Sequence, residues 1–280
     1  MKFKAISALA AVLILGSAAA WHWWPRIAPA PAPPPAVVAP LPPGAEGEPQ
    51  IANPMPAGDT PGTTSAPLPA LGESDQPFGS ALTQLPGAET LGAVLVPENL
   101  IRHLVATIDN LPRHKLGIEL RPLRATPGTL LVAGDDFRAS LEAGNAARYA
   151  VPMAIVRQLD LAALARLYQR YYPLFQRAYQ DLGYPRGYFN DRLVAVIDHL
   201  LATPVTSGPL ELVRPKVFWE FADPELEARS AGQKLMLRVG ADNGTLLRAR
   251  LRELRALVAA SPAAASPTAP AAAPAVTAPR

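Results

Sequence analysis

Proline decides where this chain can fold. Of its 33 prolines, fifteen fall between residues 25 and 72 and five after residue 259. Each one fixes φ and lacks the N–H that a helix or ladder needs. Around them lie mostly alanine and glycine, which cannot bury enough apolar surface to offset the entropy of ordering. Residues 25–72, typified by APAPAPPPAVVAPLPPGAEGEP, are therefore expected to be a disordered, extended linker. Residues 260–280 (ending APAAAPAVTAPR) are expected to be a disordered Ala/Pro-rich tail. A folded domain is left to 73–259, long enough for a real core.

At the front, Lys2 and Lys4 precede an uncharged run from Ala5 to Ala20, and Trp21, Trp23 and Trp24 follow before Pro25 and Arg26. About 20 apolar residues suffice to cross a hydrocarbon layer, and indole rings favour the headgroup zone. Residues 1–24 are expected to be a single transmembrane anchor that contacts the bilayer through residues 5–24. The lysine bias keeps its N-terminus cytoplasmic. A cleaved signal peptide is the other reading, since Ala18-Ala19-Ala20 suits a cleavage site. Either way the domain lies outside the cytoplasm.

Composition removes several chemistries. The chain has no cysteine, so no disulfide, thiolate metal site or thiol nucleophile. A net charge of +3 is too slight to argue for nucleic acid. Histidine spacing gives no metal set, and Asp135-Asp136 lacks further spaced oxygens, so neither metal nor cofactor is expected.

Within the domain the periodicity is mainly helical. Helices are expected over about 76–85, 97–111, 150–158, 160–182, 190–203, 223–239 and 242–259, with a turn near 88–95. Asp160, Asn190, Asp191 and Asp223 read as helix starts. Pro173 falls inside one helix and should bend it. Leu210–Val213 and Val217–Phe221 read as short strands, while 113–131 looks irregular. The fold class is thus mainly α with a minor β element.

The densest chemical patch runs from Leu167 to Leu201. Tyr168, Tyr171, Tyr172, Phe175 and Tyr179 share a helix face and read chiefly as core. Tyr184, Tyr188, Phe189, Asn190, Asp191 and Arg192 crowd a turn running into a helix, a usual place for a binding surface. Asp191 is expected chiefly to cap its helix and pair with Arg192. Asp198 and His199 join Asp191 as alternative catalytic candidates, although Asp191 and Asp198 lie about 10 Å apart along a helix. The cluster Arg248, Arg250, Arg252 and Arg255 reads chiefly as a solvated helix face.

Three runs carry a resemblance: VATIDNLPRHK (Val105–Lys115), LYQRYYPLFQRAYQDLGYPRGYFNDRLVAVIDHLLATP (Leu167–Pro204) and VFWEFADPELEARSAGQKLMLR (Val217–Arg238). They are similar to a bacterial family of membrane-anchored proteins catalogued as domain of unknown function 3014. The resemblance implies the same layout of anchor, proline-rich spacer and single domain. It implies no activity or site residues. The expectation is a single-pass inner-membrane protein whose domain lies in the periplasm and binds or scaffolds an envelope protein or cell-wall polymer without catalysis. A cell-wall hydrolase using an Asp/His pair is the alternative.

Overall fold

The computed structural model of the chain describes residues 51–56 and 67–259, save Ile118, Asp136 and Ser207. All of these fall within one compact unit, Pro49–Arg280. Its first half contains α1 (Asp75–Thr83), α2 (Leu91–Val94), α3 (Leu100–Asn110), β1 (Val132–Gly134), β2 (Ala139–Leu141), α4 (Asn145–Arg148), α5 (Ala150–Gln158) and α6 (Leu161–Asp181). After these come α7 (Phe189–Leu201), β3 (Glu211–Val213), β4 (Glu220–Phe221), α8 (Pro224–Glu227), α9 (Ala231–Arg238) and α10 (Ala241–Val258). The protein is mainly helical, with one small antiparallel sheet.

Local chemistry sets the helix starts. Asp160 accepts from the Ala163 N–H at 2.9 Å and opens α6. Asp223 accepts from the Glu225 N–H at 2.8 Å, with Pro224 at the first helical position of α8. Asp75 sits in the first turn of α1, yet its two oxygens also accept from the Asn99 and Leu100 N–H groups at 2.6 and 2.8 Å. It thereby satisfies amides at the start of α3 and locks the two helices together.

The main core lies among α1, α3, α6, α7 and the end of α10. Leu100, Ile101, Val105 and Phe189 are wholly buried there. The aromatic stripe of α6 supplies most of its bulk. Phe175 stacks on Phe189 at 5.7 Å, and Phe78 meets Tyr171 and Phe175 edge-on at 5.0 and 5.6 Å. Each such ring pair adds about 0.5–1.5 kcal/mol beyond its area burial. Pro173 faces solvent, and α6 runs through it without a break.

The sheet is a meander in the order β1-β2-β3-β4, antiparallel throughout. Gly134 pairs with Ala139, Ala139 with Leu212, and Leu212 with Phe221. Ala139, Leu212 and Phe221 pack with Leu237 of α9 as a second core. Gly232 lets α9 approach closely. A Cβ there would meet Leu200 Cδ2 at 2.6 Å and Leu111 O at 3.0 Å.

Several expectations are corrected. Asn190 and Asp191 do not cap α7, whose N-cap residue Tyr188 makes no side-chain cap. The helix expected over 223–239 is two: the first ends at Glu227 with Ala228 as its C-cap, and Ser230 caps the next by accepting from the Gln233 N–H at 3.2 Å. β1, β2 and α4 were not expected, and β4 begins only at Glu220. Inside the stretch 25–72, residues 51–56 lie against α7, and Leu68 and Leu71 pack on the core. The packed residues therefore begin before Glu73. Among the described residues no helix is long and apolar enough to cross a membrane. The expected anchor (1–24) and tail (260–280) lie outside the described residues.

Candidate functional site

The fold divides the stretch Tyr184–Arg192. Phe189 and Asn190 are buried and have no surface to offer. Tyr184 stacks on Tyr179 at 4.5 Å and donates to Asp109 Oδ2 at 3.3 Å. Arg192 pairs with Asp109, not with Asp191: its Nε reaches Asp109 Oδ1 at 2.8 Å and its Nη2 reaches Asp109 O at 2.7 Å. The buried Asp109 carboxylate also takes Arg113 Nη2 at 2.7 Å, and this contact raises the Arg113 pKa. A carboxylate so far from water is tolerable only with such partners. Tyr188 and Asp191 alone of the six remain at the surface without serving this knot.

Gln176, which drew no notice in the sequence, organises the same turn. Its Nε2 donates to Gly187 O at 2.7 Å and its Oε1 accepts from the Phe189 N–H at 2.9 Å. A side chain from α6 thus does for α7 what a local cap would have done. Tyr168 donates to Asn190 Oδ1 at 3.1 Å, and burial pushes the Tyr168 phenol far up.

Asp191 holds a different partner: a strap formed by residues 51–56. Its two oxygens accept from the Ala52 and Asn53 N–H groups at 3.1 and 2.6 Å. Asn190 Nδ2 donates to Asn53 O, and Met55 packs against the main core. The carboxylate expected to bind a ligand therefore holds a segment of its own chain.

The alternative catalytic candidates do not converge. Asp198 is engaged by Arg255 at 2.6 and 3.0 Å, on the side of α10. His199 Nε2 lies 2.8 Å from Ser230 Oγ, on the side of α9. Burial, followed by Arg192 and Arg229, lowers the His199 pKa. No hydrogen bond joins any two of Asp191, Asp198 and His199. Three of the four arginines of α10, Arg248, Arg250 and Arg255, are likewise committed. Arg248 reaches Thr203 O and Pro204 O, and Arg250 reaches Val156 O and Leu159 O. Among the described residues no group of three or more His, Asp and Glu side chains is placed to hold a metal ion.

A cleft of about 560 Å³ lies elsewhere, between α9 and the irregular stretch around 114–126. Lys234 and Arg238 line the α9 wall, and His114, Arg121 and Arg124 line the other. Leu111, Leu116, Leu123 and Leu235 supply hydrocarbon between them, and among the described residues no carboxylate lines the cavity. Lys234 is held by Glu227 at 2.6 Å, and Arg238 lies 5.1 Å over Phe221 while donating to Trp219 O. Arg121 and Arg124 have no side-chain hydrogen bond or ion pair among the described residues. Cations gathered in a concave, partly desolvated setting raise the local potential for anions. Guanidinium groups suit carboxylate or phosphate in particular. Nothing in the sequence placed these residues together, because the two walls are more than a hundred residues apart and each cation alone reads as surface.

A family model described as "Protein of unknown function (DUF3014)" matches residues 100–255, more than half of the chain. The chain belongs to this family. The DUF3014 match takes in both walls of the basic cleft and the whole of Tyr184–Arg192, and it starts after the strap and α1. No curated protein and no solved structure matches the chain.

Proposed function

We propose that this DUF3014 chain is a non-enzymatic binding or scaffold protein of the bacterial envelope. In this reading residues 1–24 anchor it in the inner membrane with the N-terminus cytoplasmic, and the helical domain works in the periplasm. There it captures an acidic segment of an envelope protein or cell-wall polymer. The observation that carries the reading is the cleft whose walls bring Arg121, Arg124, Lys234 and Arg238 together, with no carboxylate among its described lining residues. The apolar, tryptophan-ended leader supports the anchoring half of it. The separate engagements of Asp191, Asp198 and His199 weigh for binding over catalysis.

The test is fluorescence polarisation of a labelled oligoglutamate with the full chain in detergent micelles. R121E/R124E should weaken binding by more than about tenfold at unchanged melting temperature. Equal binding by wild type and variant would remove the cleft from the account.

A further inference from the structure

We infer that the cleft takes its acidic ligand as an extended polypeptide, added as a strand to the free edge of residues 123–126. The inference rests on the reading of the cleft as the site of an acidic segment. It narrows that ligand to a peptide backbone carrying its own N–H groups.

The edge follows from one short pairing. Leu123 forms an isolated antiparallel bridge with Leu95. The Val96 N–H donates to Pro122 O at 2.9 Å and the Arg124 N–H to Val94 O at 2.8 Å, so the two bonds flank the Leu95–Leu123 pair. In an antiparallel pair of that kind, the residue between the bonds turns its own N–H and C=O away from the partner strand. The backbone groups of Leu123 therefore lie on the outer side. Residues 123–126 run on with neither helix, turn nor bend, so Ala125 presents its backbone on that side too. The N–H and C=O groups of Leu123 and Ala125 have no hydrogen bond among the described residues.

That outer side is the cleft. Its cavity of about 560 Å³ is lined by residues 121–126 and by none of 94–98. Leu95, Pro97 and Glu98 line a separate cavity, which Arg124 also borders. Leu123 is 40% exposed, and Arg124 and Ala125 are exposed beside it. An accessible, unpaired extended edge is a template for another strand.

Charge selects what lies along it. Arg121 and Arg124 flank Leu123 in the chain, and Lys234 and Arg238 line the α9 wall. Glu227 already holds Lys234, so the complementarity rests on the three arginines. Glu119, two residues before Arg121, is not among the lining residues. In strand addition the main-chain hydrogen bonds give affinity and the neighbouring side chains give preference. Here the guanidinium groups set that preference for carboxylates.

The test uses the full chain in detergent micelles and three fluorescently labelled probes. They are oligoglutamate, the same oligomer N-methylated at consecutive central residues, and polyacrylate, which has carboxylates but no amides. Consecutive methylation removes donors from both edges of the peptide. Oligoglutamate should bind, while methylation should weaken it about tenfold or more and polyacrylate should be equally weak. Residue-resolved hydrogen exchange reads the edge itself. Bound oligoglutamate should slow the Leu123 and Ala125 amides about tenfold or more and leave the Arg124 amide, already bonded to Val94 O, unchanged. Equal binding of the three probes overturns the inference, as does unslowed exchange at Leu123 in the bound complex. Either result leaves the cleft as a site for charge alone. Failure of all three probes to bind removes the cleft reading as well. Slow exchange at Leu123 before any peptide is added overturns the inference in favour of a segment of the chain itself.

Discussion

Asn190 and Val258 are 68 residues apart, and a 2.8 Å hydrogen bond from Asn190 Nδ2 to Val258 O joins the start of α7 to the end of α10. The same nitrogen donates at 2.8 Å to Asn53 O of the strap, and Asn190 Oδ1 accepts from Tyr168. One buried carboxamide thus satisfies a helix end, an incoming segment and a core phenol. Asn190→Leu keeps the volume and strands all three partners. Urea unfolding should show a loss of about 2–3 kcal/mol, since each buried polar group left unpaired costs on that scale.

Asp191 faces the strap from a more open position. Asp191→Ala should leave the melting temperature nearly unchanged but release the Ala52 and Asn53 amides. Native-state hydrogen exchange at those two amides should speed up about tenfold or more, with no change inside α6. Unchanged exchange at both would mean the carboxylate does not hold the strap.

Close approach of α9 depends on the missing side chain at Gly232. Gly232→Val should cost about 1–3 kcal/mol by overpacking against Leu200 and the Leu111 carbonyl. Gly72→Ala, where nothing lies within 4 Å of the added Cβ, is the matched control and should be close to neutral. Thermal melts of the pair make the comparison.

His199 couples stability to acidity. Its pKa in the folded protein is lowered, first by burial and then by Arg192 and Arg229, so the unfolded chain takes up the proton more readily. Stability from this group is present above the unfolded value of about 6.5 and is lost as pH falls through the lower folded value. Denaturation midpoints measured between pH 7 and pH 5 should therefore fall. His199→Gln, which keeps a partner for Ser230, should flatten that slope.

The sequence made the long helices legible because their signals are local. Asp160 caps α6, Asp223-Pro224 opens α8, and Tyr168, Tyr171, Phe175 and Tyr179 repeat at helical spacing. What escaped notice depends on distant partners. β1 is Val-Ala-Gly and β2 Ala-Ser-Leu, three residues each, and only the ladder with β3 makes them strands. Asp191 looked like a cap because an aspartate near a helix start serves backbone amides, and it does serve them, but those of residues 52 and 53. Ser230 was hidden by helix-forming neighbours on both sides. The basic cleft left no trace, since Arg121 and Lys234 meet only after folding.

Asn53 and Val258 rest on one side-chain nitrogen, so the first and last described stretches of the packed body meet at a single corner. That makes the domain a cassette. It can be grafted into a surface loop of a host protein, or joined end to end and reopened elsewhere, with a short splice and little distortion of its interior.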